Sequence, residues 1–160
     1  MSNIQQGISL RKAGKLIEAN HLFLELLKNE PENSQLNYQC AWSFDSLGEE
    51  KLAVPYYIKA IDGNLNREDL EGAYLGLGST YRTLGDYQAS KNTFLTAISL
   101  FPDKEVFKVF YSMTLYNLEE HSKAMEILLT TLIKTSSDQS IQEYEKALLF
   151  YAPQLDKVWE

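Results

Sequence analysis

The chain has 160 residues, 44% of them hydrophobic, and a formal net charge of −7, which suits one globular domain with a continuous core rather than a disordered segment. The acidic balance argues against nucleic acid and anionic membranes as partners, because phosphate binding rewards basic patches and the densest basic group is only Arg11, Lys12 and Lys15. No apolar run approaches the roughly 18 residues that cross a bilayer, and the opening MSNIQQGISLRKAGK lacks the basic-then-apolar order of a signal peptide, so a cytoplasmic location is expected.

Taken in order, residues 3–13 and 15–29 are expected as two helices reversing at Gly14, a residue that tolerates backbone angles closed to others. In the second, Leu16, Ala19, Leu22, Phe23, Leu26 and Leu27 recur at threes and fours, an amphipathic stripe. Pro31 ends the pair, and Ser34 can cap a third helix over about 34–47. A fourth over about 50–62 contains Pro55, close enough to its start that little backbone hydrogen bonding is lost. Helices over about 68–84 and 87–100 flank Gly85, and a further pair is expected at about 103–117 and 121–134. After the polar break at Thr135 to Asp138, IQEYEKALLFYA reads as a ninth helix at about 139–151 with Ile141, Tyr144, Ala147, Leu148 and Tyr151 on its apolar face. Pro153 stops it, and Leu155, Val158 and Trp159 are expected to pack rather than trail.

These pairs repeat. The glycine between helices recurs as Gly14, Gly48 and Gly85, with Glu119 in the fourth place. A small residue early in each second helix recurs as Ala19, Ala53, Ser90 and Ala124, and a bulky one a turn later as Phe23, Tyr57, Phe94 and Leu128. Further columns read Leu26, Ala60, Ala97, Thr131; then Gly7, Ala41, Gly78, Ser112; then Leu10, Phe44, Tyr81, Leu115. The steps are 34, 37 and 34 residues, with one insertion among Asn64, Leu65, Asn66 and Arg67. Six columns at this period resemble the tetratricopeptide repeat (TPR) family, whose unit is a helix–turn–helix of about 34 residues, and in particular its short stand-alone bacterial members. The resemblance implies an all-α, right-handed α-solenoid of four TPR helical hairpins, one domain over residues 1–160, with repeats at about 1–33, 34–67, 71–104 and 105–138 and a C-terminal capping helix within 139–160.

Catalytic and metal chemistry find little support. His21 and His121 stand in different repeats without ligand spacing. Glu49-Glu50 and Glu119-Glu120 lie at helix starts, where they complement the dipole. LGLGSTYRTLG lacks the Lys-Ser/Thr of a phosphate loop. Cys40 is the lone cysteine, which excludes an internal disulfide, and it reads as a small buried thiol. No enzyme, cofactor or metal is expected.

In the family resembled, the first helices line a concave surface that receives peptides or helices of protein partners. Placed on that row, the exposed inner positions here are Ile4 and Ile8; Tyr38, Trp42 and Asp45; Leu75, Ser79 and Arg82; and Val109, Phe110, Met113 and Tyr116. Aromatic side chains dominate binding hot spots, so the candidate partner-binding set is Tyr38, Trp42, Asp45, Leu75, Arg82, Phe110, Met113 and Tyr116. An apolar segment carrying an acid would suit it, with Arg82 as the charge partner and Asp45 repelling a second acid. A family subgroup grips C-terminal carboxylates, but the matching positions here are Ile4, Ile8, Gln39, Gly72 and Gly76, so that clamp is missing. The expected function is non-enzymatic protein binding or scaffolding. The alternative is a homo-oligomer that self-associates through the same apolar surface.

Overall fold

The structure, a computed structural model, describes residues 3–160. Among the described residues there are ten α-helices, one 3-10 turn and no strand. The chain divides into two compact units, residues 1–86 and 87–160, so that the third repeat contributes its first helix to one unit and its second to the other.

The first unit holds α1 (Asn3–Lys12), α2 (Leu16–Asn29), α3 (Ser34–Ser46), α4 (Glu50–Asp62) and α5 (Arg67–Thr83). Each packs on the next, and α3 also touches α1 and α5, so the three first helices lie side by side. Asn33 caps α3 by accepting from the Leu36 amide at 3.0 Å, and Asn66 caps α5 by accepting from the Asp69 amide at 2.9 Å. The insertion after α4 is therefore put to use: it supplies the cap of α5, while the Asn64 amide donates to Ser34 Oγ at 2.8 Å. Pro55 lies in the second turn of α4, as its position in the sequence suggests. The core is built on Ala19, Phe23, Leu27, Leu36, Cys40, Ala41, Phe44, Ala53, Tyr57, Ala60, Ala73 and Leu77. Burial pushes the Cys40 thiol up to about 12, which leaves it inert.

The second unit holds α6 (Tyr87–Leu100), α7 (Val106–Asn117), α8 (His121–Thr135), α9 (Gln139–Glu143) and α10 (Glu145–Tyr151). Phe94, Phe107 and Leu115 are its largest fully buried side chains. The α7 helix begins at Val106, later than the expected 103, because the Lys104 amide turns back to the Phe101 carbonyl at 3.0 Å and delays the first helical turn.

The expected single ninth helix is a second correction. It breaks at Tyr144, whose backbone (φ −101°, ψ 10°) leaves the helical basin and whose amide bonds three residues back to Ile141 at 3.2 Å. After that break α10 and the 3-10 turn Ala152–Gln154 pack on α8 and bury Ala152, while Tyr144, Ala147 and Tyr151 of the expected apolar face are left exposed. The tail packs mainly on α10, with one tie to the start of α8. The Trp159 ring lies 5.5 Å from Phe150 and 6.4 Å from Tyr151, Asp156 is tied to Ser122, and Val158 remains 88% exposed.

All four turns between paired helices close alike. Lys15, Glu49, Asp86 and Glu120 donate to Leu10, Phe44, Tyr81 and Leu115 at 2.9–3.0 Å, five residues back. That closure needs a left-handed residue just before the donor. Gly14, Gly48 and Gly85 supply it at φ +79°, +75° and +80°, and Glu119 is forced to φ +63° in the same place. A side chain there costs about 1–2 kcal/mol relative to glycine. Glu119→Gly should accordingly raise the urea midpoint, by about 1 kcal/mol of stability once the freer unfolded chain is counted. Gly48→Ala should lower it by a similar amount.

Candidate partner-binding site

Tyr38, Trp42 and Asp45 follow one another at i, i+4 and i+7 on α3 and so share a face. Their environments differ sharply. The expectation that Tyr38 is open is corrected: it is 7% exposed. The cause lies on α5, where Gly72 leaves room for the phenol. A Cβ at that glycine would stand 2.1 Å from the Tyr38 oxygen, and one at Gly76 would stand 2.4 Å from Tyr57 Cζ. The absence of side chains at both positions lets α5 approach α3 and α4 closely enough to cover the two rings. Burial, reinforced by Asp69, pushes the Tyr38 hydroxyl up to about 12.

Trp42, one turn on, stays 44% exposed. Its ring is 5.9 Å from that of Tyr38, and the Arg11 guanidinium stacks on it at 3.8 Å from the ring centroid. Arg11 comes from the end of α1 and is itself half-buried. Its Nη2 donates to Gln39 Oε1 at 2.7 Å and its Nη1 to the Gln39 carbonyl at 3.4 Å. Burial lowers the guanidinium pKa from its ordinary value.

Asp45 joins three helices. Its Oδ2 accepts from the Tyr57 hydroxyl of α4 at 2.7 Å, and both of its oxygens accept from Thr80 Oγ1 of α5 at 3.0 Å. Desolvation nevertheless wins over these two donors and raises the carboxyl pKa, with Glu50 adding to the rise. Burial also drives the Tyr57 hydroxyl far above its ordinary value, so it stays a donor. Leu75 and Arg82 of α5 are half-buried in the same unit.

Phe110, Met113 and Tyr116 belong to the second unit, on successive turns of α7. Phe110 is half-buried with its ring 6.1 Å from Phe94, so it is shared between core and surface. Met113 is exposed, and Tyr116, 64% exposed, leans on the His121 ring at 4.8 Å. The structure thus gathers Tyr38, Trp42, Asp45, Leu75 and Arg82 in one unit and the α7 trio in the other. The residue that sequence reasoning missed is Arg11. It stands 34 residues before Asp45, in the column of Asp45, Arg82 and Tyr116, so the repeat register carried the signal.

A sequence profile described as "Tetratrico peptide repeat" matches residues 34–155. No curated protein sequence matches the chain. Among solved structures, a crystal structure of MamA is 21% identical with a TM-score of 0.74, covering 91% of this chain and 87% of its own. A crystal structure of MamA protein is 23% identical with a TM-score of 0.71, covering 94% and 84%. MamA 41-end from Desulfovibrio magneticus RS-1 is 19% identical with a TM-score of 0.71, covering 91% and 75%. At these identities the likeness speaks for the fold alone.

The raised Asp45 pKa sets a pH dependence. With the folded value above the unfolded one, the folded state binds the extra proton in the interval between them, so stability falls as pH rises through it. The loss is complete above the folded pKa. Asp45→Asn keeps an acceptor for Tyr57 and Thr80 without the charge. Urea midpoints measured from about pH 3.5 to 7 should therefore show the variant gaining on the native chain as pH rises above the ordinary carboxylate range. Parallel curves would remove desolvation of Asp45 as the cause.

Proposed function

Because the chain belongs to the tetratricopeptide repeat family, an all-α helical-repeat solenoid, we propose that it is a non-enzymatic module that binds a peptide or helix of a partner protein on the face of its first helices. Trp42 is the principal anchor. Tyr38 supports it from the core, and Asp45, Leu75 and Arg82 shape the ground beside it. Phe110, Met113 and Tyr116 offer a second apolar contact in their own unit. The observation that carries this reading is the state of Trp42, a large indole left 44% exposed while a guanidinium fixes one of its faces. Burying the rest of that ring against a partner is worth about 2 kcal/mol or more, as for hot-spot aromatics generally.

Self-association is the alternative, favoured by the number of large apolar side chains left exposed, among them Ile17, Tyr116, Phe150, Val158 and Trp159. A paired measurement separates the readings. Trp42→Ala should weaken partner binding by about 2 kcal/mol or more and shift the melting temperature much less, with light scattering unchanged across concentrations. Should the same substitution dissociate an oligomer of the chain instead, self-association takes its place. Should it unfold the first unit, Trp42 is core.

A further inference from the structure

Several of the fifteen lysines and arginines in this acidic chain find an acid. Lys15 pairs with Glu18, Lys28 with Glu25, Lys59 with Glu32, Lys91 with Glu120, and Lys108 and Lys134 with Glu105. Arg11 does not. It is half-buried, yet its partners are the neutral Gln39 and the rings of Trp42 and Phe23, and among the described residues no carboxylate lies within ion-pair distance of it. Two of its five N–H donors are used on Gln39, which leaves three. A partly desolvated cation held only by neutral groups gains most from a charge-assisted bond to an anion. Beside it lies the exposed indole of Trp42, which can take apolar surface.

We propose that Arg11 and Trp42 form a subsite for one side-chain carboxylate, Asp or Glu, carried next to an apolar residue in a partner segment. This rests on the partner-binding reading above and moves the charge contact from Arg82 to Arg11. The carboxylate takes the remaining guanidinium donors while the apolar neighbour lies on Trp42. The surroundings restrict the partner to a single acid. Asp69 and Glu68, at the start of α5, act electrostatically on Tyr38, the residue whose ring lies against Trp42. An acidic run reaching from Arg11 toward Tyr38 would meet repulsion from both. A chain-end carboxylate fits less well, since Ile4 and Ile8 on α1 bring apolar surface instead of further donors.

The test uses the full chain with Trp159→Phe, which leaves Trp42 as the sole indole, since the chain holds two tryptophans. Its fluorescence is titrated with blocked hexapeptides carrying one Asp or Glu beside Leu or Phe, with their Asn and Gln counterparts, and with acid-free peptides ending in a free carboxylate. An acid peptide should bind about tenfold more tightly than its amide twin, and Arg11→Gln should abolish that preference while the amide peptide binds as before. Arg11→Lys, which keeps the charge but not the stack, should retain part of the preference and serves if the glutamine variant does not fold. Equal binding of acids and amides, a preference that survives Arg11→Gln, a preference for free chain ends, or no binding of any peptide up to about 10 mM would each overturn the subsite. If Trp42→Ala still weakens the native partner in that event, the partner-binding reading stands without it.

Discussion

The close approach of helices at small residues governs what each unit can build. Ala19, Ala41, Ala53, Ala60 and Ala73 have no measurable exposure in the first unit, and Ser90 and Ala97 have none in the second. Where glycine replaces alanine, a ring moves in: Phe23 stands 2.4 Å from where a Cβ of Gly7 would be, and Tyr38 and Tyr57 do the same at Gly72 and Gly76. A methyl group at any of these three would have to displace an aromatic ring, and overpacking of that kind costs about 1–3 kcal/mol. The rings gain by the arrangement, since full burial of a side chain the size of phenylalanine contributes roughly 1.5–3 kcal/mol. Helix spacing and aromatic burial are one constraint seen from two sides.

Close spacing also lets short polar side chains meet across helices. Asn20 donates to Ser43 Oγ at 2.9 Å between α2 and α3, and the Ser90 and Thr114 hydroxyls lie 2.9 Å apart between α6 and α7. Asp45 with Tyr57 and Thr80 extends the same device over three helices. Such contacts add little net energy compared with apolar burial, about 1 kcal/mol each. Their effect is on register, because a helix shifted by one residue would leave the polar atoms buried and unpaired. Desolvation of Asp45, which raises its pKa, expresses that tension: the carboxylate is held where solvation is poor because three helices converge on it.

The sequence made the repeat legible to within a few residues, because the small and bulky columns and the turn glycines are local and periodic. Glu119 in the glycine column adopts the left-handed backbone that its three counterparts adopt, so the column outweighed the residue's own preference. What the columns could not convey is how close α5 comes. Tyr38 and Trp42 have the same helical phase, and only the missing side chain at Gly72 decides that the tyrosine is covered. The tail failed for a related reason. Its apolar spacing fits one straight helix, yet packing on α8 is satisfied by a break at Tyr144 and by the small Ala152 instead of the larger residues. Periodicity reports which face is apolar and says nothing of whether anything lies against it.

Trp42 shows how the same spacing that buries one ring prepares another. With Tyr38 locked beneath α5, the indole next to it cannot follow into the core, and Arg11, tethered twice to Gln39, occupies one of its faces. The guanidinium is fixed by the residue next to Cys40 in the core of α3, so the stack is anchored to the most buried helix of the unit. An exposed tryptophan on a free helix would lose rotamer freedom on binding, at a cost of about 0.5–1.5 kcal/mol. Here that loss has been taken largely during folding. The repeat architecture thus does more than display an aromatic residue: it delivers the ring and its cation already oriented, and it does so with residues from two neighbouring repeats.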